Sequence, residues 1–239
     1  MVTVNRRIEG KSGFRIVSSE RVKCAGVILA GGESRRMGVD KASLDFGGEA
    51  MLVRVVRVLS AICSPIVVVA APGQVLPAMP QNLTGAMDIV HDRQSGRGPM
   101  EGLSVGLARV AALAMDQGNG DEEFADDFAA LVTTCDAPLV TAAFVSRLLE
   151  FVDWESFDAA VPIDEVRRYP LSAIYGPAAL PVIEQRVQAG KLKVIDMLNA
   201  IRTRFVDSSE LRTADPELLS LLNINSPEEY EAIVAKWKT

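Results

Sequence analysis

Within residues 29–41 the chain reads Leu29-Ala30-Gly31-Gly32-Glu33-Ser34-Arg35-Arg36-Met37-Gly38-Val39-Asp40-Lys41. Two adjacent glycines let a backbone turn sharply with no Cβ in the way. Successive N–H groups in such a turn make an anion-binding nest. Arg35, Arg36 and Lys41 add cations, an arginine meeting phosphate oxygens in pairs and a lysine acting as a point charge. The chemistry these residues suit is the binding of a phosphate chain. It is not the nucleotide loop of kinases and ATPases, because G-x-x-x-x-G-K-[ST] is absent. The dinucleotide pattern G-x-G-x-x-G is absent as well, since Gly96-Arg97-Gly98 lacks its third glycine.

A second constellation is Thr133-Thr134-Cys135-Asp136-Ala137-Pro138. It ends an apolar run with a carboxylate, and a proline then stops the strand. Mg²⁺ is often held by one or two carboxylates together with substrate phosphates, which suits Asp136. Helix capping is the alternative use of such an aspartate. A third is Gly98-Pro99-Met100-Glu101-Gly102, with Gly106 four residues further on. Gly98, Gly102 and Gly106 share one helical face, and each costs about a kcal/mol in helix propensity. Close packing and ligand contact both explain Gly102 and Gly106, and the two stay open. The single histidine, His91, excludes chemistry that needs a histidine pair, and its apolar context marks it as a strand-end residue.

Positioning these groups requires strands that end where they begin. Residues 24–30 are an apolar run that suits a strand buried on both faces. Residues 66–71 are another, closed by Pro72-Gly73, and 87–91 a weaker third. Residues 51–62 place Leu52, Val55, Val56 and Leu59 on one helical face. Pro99 opens a helix to about 115. Residues 116–127 read as an acidic surface loop, 128–134 as a buried strand, and Thr141 caps a helix to about 152. Shorter strands follow at 158–162 and 172–175, with helices at 178–189 and 194–200. Ser226-Pro227-Glu228-Glu229 is a capping box that starts a terminal helix. Alternation of this kind predicts a single Rossmann-like three-layer α/β domain, a mostly parallel sheet with helices on both faces. Its boundaries are 23–239, with 1–22 an N-terminal extension. In such a sheet the glycine-rich turn and Asp136 both fall at the carboxyl edge, where ligands bind.

The run at 29–41 resembles the signature L-A-G-G-x-S/A-x-R-M-G-x-D-K of the molybdenum cofactor guanylyltransferases, within the nucleotidyltransferase superfamily. It matches at Leu29, Ala30, Gly31, Gly32, Ser34, Arg36, Met37, Gly38, Asp40 and Lys41, and later segments match in order over roughly residues 23–237. The resemblance implies transfer of GMP from GTP to molybdenum-loaded molybdopterin, with Mg²⁺ as cofactor. It makes Arg36, Lys41 and Asp136 catalytic and gives the metal to Asp136. It gives the nucleotide to Leu29, Ala30, Gly31, Gly32, Ser34, Arg35, Met37, Gly38, Lys41, Asp92, Gly98 and Asp136. Asn223-Ile224-Asn225-Ser226-Pro227-Glu228 resembles an N-x-N-T-P-E segment, and Arg167-Arg168-Tyr169-Pro170-Leu171 a basic segment ending H-P-L. These assign Asn223, Asn225, Arg168 and Pro170 to the acceptor, and Lys193 of Gly190-Lys191-Leu192-Lys193 joins them. Turn formation before the helix is the other reading of the asparagines, and solvated surface charge is that of Arg168 and Lys193. Three departures stand out: Glu101 replaces an alanine, Tyr169 replaces a histidine, and Ala70 and Ala71 stand where the family has an asparagine.

The bulk numbers agree with an enzyme acting on small molecules. The chain has 239 residues, 49% hydrophobic, and a net charge of −6 with no basic cluster, which argues against nucleic acid. Cys24, Cys63 and Cys135 are scattered and odd in number, and no CxxC or Cys/His spacing suggests zinc, so they read as small apolar residues. No apolar run is long enough to span a bilayer, and residues 1–20 lack the core of a signal peptide. A cytoplasmic protein without nucleic-acid or membrane partners is the expectation. Transient contact with proteins that mature molybdenum enzymes is implied by the resemblance. Cytidylyl transfer to molybdopterin, and a carrier that binds nucleotide or cofactor without catalysis, remain the alternatives.

Overall fold

In this computed structural model, which describes residues 23–31, 40–84, 87–117 and 128–237, the first strand sets the frame. Strand β1 (Lys23–Leu29) lies inside the sheet, between β2 (Ile66–Ala70) and β4 (Phe128–Thr134), and runs parallel to both. Strand β3 (Met87–His91) continues the parallel set beyond β2. On the other side the sheet is mixed. β6 (Ala173–Tyr175) runs antiparallel to β4 and to β5 (Ala159–Ile163), and β7 (Thr203–Asp207) closes that edge parallel to β5. The order is β3-β2-β1-β4-β6-β5-β7.

Alternation along the strands feeds two cores, because successive side chains point to opposite faces. Cys24 and Ile28 of β1 join Leu52, Val55 and Leu59 of α1 (Met51–Leu59) and Phe144 and Leu148 of α4 (Ala142–Leu149). Ala25, Val27 and Leu29 face the other way, onto Met100, Leu103 and Leu107 of α3 (Pro99–Gln117) and Ile183 of α5 (Ala179–Gln188). This two-sided burial explains why β1, β2 and β4 read as continuous apolar runs. A short α2 (Gln81–Thr84) precedes β3, while α6 (Val194–Leu198) and α7 (Ser208–Leu211) flank β7.

The terminal helix, α8 (Pro227–Trp237), docks on a small third core of Phe46, Met51, Leu139 and Ile224. Ser226 Oγ accepts from the Glu229 N–H at 3.2 Å, and the Glu229 carboxylate accepts from the N–H of Asn225 at 2.6 Å, one residue ahead of the cap. Arg54 of α1 adds a tie, stacked over the Trp237 ring at 4.2 Å while its Nε donates to the Pro138 carbonyl at 2.7 Å. The C-terminal helix therefore braces the loop that follows β4.

Candidate active site

Register alone brings the sequence-predicted groups together. Leu29 pairs with Val69 on one side and Thr134 on the other, and Ala70 pairs with His91. The residues just past these pairs, Gly31, Ala71, Asp92 and Asp136, therefore lie along one carboxyl edge. They line a cavity of about 560 Å³ together with Lys41 and Gly102. His91 is the exposed last residue of β3 and takes no place in that lining.

Gly31 is at the closest approach. A Cβ there would stand 2.8 Å from the Ala71 backbone nitrogen and 3.2 Å from Asp92 Oδ2. Gly32, Ser34, Arg35, Arg36, Met37 and Gly38 lie outside the described residues, so the contacts of the turn are described only at its ends, Ala30, Gly31, Asp40 and Lys41.

Lys41 begins a short 3-10 turn, residues 41–43, that Asp40 caps by accepting the Ala42 N–H at 3.0 Å. From there Lys41 Nζ donates to Asp136 Oδ2 at 2.8 Å and to Asn225 Oδ1 at 3.1 Å. The other Asp136 oxygen accepts from the Thr134 hydroxyl at 2.5 Å. The Ile224 N–H donates to the Asp136 carbonyl at 2.8 Å, and Asn223 Nδ2 reaches the Thr134 hydroxyl at 3.5 Å. The extended segment 223–225 is thus hydrogen-bonded into the Lys41–Asp136 pair. The family resemblance groups these asparagines with the acceptor and does not reveal that junction.

Asp92 forms the opposite wall. Its Oδ1 is buried and has no hydrogen-bond partner among the described residues. Burial, then repulsion from Glu101, pushes its carboxyl up to about 6. Glu101 is 1% exposed in the first turn of α3 and forms an ion pair with Arg97 at 3.6 Å. The glutamate that departs from the family pattern is therefore a buried acid behind the Asp92 wall.

The glycines separate by role. Gly98, at φ +69°, precedes α3 and borders the cavity, with nothing among the described residues within 4 Å of its missing Cβ. A Cβ on Gly102 would meet Leu29 Cδ2 at 3.1 Å and Asp92 Oδ1 at 3.4 Å, whereas one on Gly106 would lie 2.3 Å from Val27 Cγ1. Gly106 is a packing glycine, and Gly102 both packs and lines the site.

The remaining acceptor candidates are dispersed. Pro170 has its carbonyl held by the hydroxyl of buried Tyr175 at 2.8 Å, and the next residue, Leu171, reaches the cavity. Arg168 lies over the Phe205 ring at 4.8 Å and donates to Asn199 at 3.4 Å. Lys193 is exposed at the start of α6. Neither cation lines the cavity among the described residues.

A parallel carboxyl edge with a glycine-rich turn after β1, a lysine and a strand-end aspartate is the plan of a nucleotidyltransferase. The chain belongs to the MobA-like NTP transferase domain family, whose sequence profile matches residues 26–202. Among named relatives, the probable molybdenum cofactor guanylyltransferase of Pelotomaculum thermopropionicum is 31% identical, over 87% of this chain and 90% of its own. The molybdenum cofactor guanylyltransferase of Desulfosudis oleivorans is also 31% identical, over 89% of this chain and 95% of its own. The fold is shared with the crystal structure of molybdopterin-guanine dinucleotide biosynthesis protein A from Archaeoglobus fulgidus. That match has a TM-score of 0.69 at 21% identity, over 90% of this chain and 98% of the other.

Proposed function

We propose that this chain transfers GMP from GTP to molybdenum-loaded molybdopterin, giving the guanine dinucleotide cofactor and pyrophosphate. The observation that carries the reading is the Lys41–Asp136 pair at the cavity's edge, in a chain similar over most of its length to named guanylyltransferases. The acceptor's terminal phosphate attacks the α-phosphorus of GTP, a new P–O bond forms, and the bond to the β-phosphate breaks. A phosphate monoester is already ionised near neutral pH, so the residues have to orient and neutralise charge rather than take a proton.

Leu29, Ala30, Gly31, Gly32, Ser34, Arg35, Met37 and Gly38 form the nucleotide cradle in this reading, with Gly98 beside it. Arg36 and Lys41 balance the triphosphate charge. Asp92 accepts from the base, and guanine offers N–H donors to a buried carboxylate oxygen that has none. Asn223, Asn225, Arg168, Pro170 and Lys193 are assigned to the acceptor. The domain spans residues 23–239.

Among the described residues no three acidic, histidine or cysteine side chains come together as a metal cage. A lone strand-end carboxylate fits a cation that arrives on phosphate oxygens and keeps most of its waters, as Mg²⁺ does. Asp136 would hold it, and bound Mg²⁺ supplies charge neutralisation at the phosphates. No helix of the described residues is long and apolar enough to cross a membrane, and the three cysteines are free and buried. Both features suit a cytoplasmic enzyme. Asp136→Asn tests the assignment: pyrophosphate release should fall by at least about 100-fold with the melting temperature little changed. Near-normal turnover would overturn it.

A further inference from the structure

Both described ends of the glycine-rich turn meet at one side chain, Gln74. The segment Ala71-Pro72-Gly73-Gln74 is a type II β-turn, with proline second, Gly73 third at φ +73°, and the Gln74 N–H donating to the Ala71 carbonyl at 3.1 Å. That turn folds the side chain back beneath the end of β1. Its Oε1 accepts the Ala71 N–H at 2.9 Å. Its Nε2 donates to the Ala30 carbonyl at 3.0 Å and to Asp40 Oδ2 at 2.9 Å. A carboxamide nitrogen carries two hydrogens, and here each has an acceptor.

Ala30 and Asp40 bracket residues 31–39, so one nitrogen ties together the two ends of that stretch. The remaining Asp40 oxygen caps the turn that begins with Lys41, and Lys41 reaches Asp136. We infer that Gln74 is a positioning residue that closes the base of the triphosphate-binding turn and sets Lys41 through Asp40. It touches neither substrate nor metal. Fixing the two ends of a binding loop before the ligand arrives removes part of the ordering cost that the ligand would otherwise meet. The inference rests on the proposed function, in which residues 31–39 receive the triphosphate.

The test compares GTP with guanosine, which lacks the phosphates, by calorimetric titration of the full chain with Mg²⁺ present. Gln74→Leu keeps the bulk and removes all three hydrogen bonds. Gln74→Glu keeps the acceptor for Ala71 but turns the doubly donating nitrogen into one carboxylate oxygen that faces both the Ala30 carbonyl and Asp40. GTP affinity should fall about 10-fold in Gln74→Leu and further in Gln74→Glu, with guanosine affinity unchanged within about 2-fold. Adding Asp40→Asn to Gln74→Glu restores a donor facing the carboxylate and should recover part of the GTP affinity. Equal losses for GTP and guanosine, no loss for either, or no recovery in the double variant would overturn the inference. If the wild-type chain held guanosine as tightly as GTP, the reading of residues 31–39 would itself fail and take the inference with it.

Discussion

Gly106→Ala and Gly102→Ala are chemically identical changes one helical turn apart in α3, and the structure predicts opposite consequences. In a helix, alanine gains about 1 kcal/mol over glycine at either position. At Gly106 the new methyl would stand 2.3 Å from Val27 Cγ1 and 3.1 Å from Val69 Cγ2, where carbon atoms pack best at about 3.5–4 Å. Val27 is fully buried and β-branched, so it cannot swing aside, and α3 must move off the sheet. Overpacking of this kind costs about 1–3 kcal/mol, and so severe a contact belongs at the upper end. The net loss is about 1–2 kcal/mol, or about 2–8 °C in melting temperature for a domain of this size. At Gly102 the nearest atom is the far end of Leu29, 3.1 Å away, which gives easily. Gly102→Ala should melt at or slightly above the wild-type temperature. Its methyl, however, enters the cavity wall 3.4 Å from Asp92 Oδ1, so GTP affinity should fall several-fold. Thermal melts and GTP titrations on both variants form the assay. A Gly106→Ala protein melting at or above wild type, or Gly102→Ala as the destabilised member, would refute the packing argument.

Two further perturbations probe the electrostatics. Because Asp92 titrates near pH 6, the folded state holds its proton between about 6 and the ordinary 3.8, and this residue's contribution to stability falls as pH rises through that window. GTP binding that uses ionised Asp92 should therefore weaken as pH drops below about 6. Glu101→Gln removes the repulsion but not the burial, so the midpoint of GTP affinity against pH should move down without reaching 3.8; an unmoved midpoint would contradict the coupling. At the far end of the sheet, Asp158 accepts from the Arg202 backbone N–H at 2.9 Å and from its guanidinium, whose hydrogen bonds and charge hold the carboxyl below the usual range against the opposing effect of burial. The stability it provides is present above pH 3.8 and lost on acidification below it, and Asp158→Ala should cost about 2 kcal/mol in denaturant titration at pH 7.

Local composition carried the parallel half of the sheet, and distance along the chain hid the rest. The runs at β1, β2 and β4 were legible because burial on both faces leaves no polar residue to interrupt them. β7 was missed: only Val206 of its five residues is buried, and Arg204 breaks the apolar pattern. The antiparallel seat of β6 has no local signature either, since three residues, Ala-Ile-Tyr, read the same in either direction. In the site, Asp136 and Lys41 could be chosen by type and position, and Asp92 only through the family resemblance. The role of Gln74 could not, because its partners lie 34 and 44 residues away and only the fold brings them together. The link from Asn225 to Lys41 spans 184 residues and was illegible for the same reason.

The most direct test of the proposed reaction is pyrophosphate release by the full chain with Mg²⁺ and molybdenum-loaded molybdopterin, offering GTP, CTP, ATP and UTP separately. Release with GTP alone is the predicted result. Release with CTP in its place would contradict the base, and nucleotide binding without release from any of the four would contradict the reaction itself.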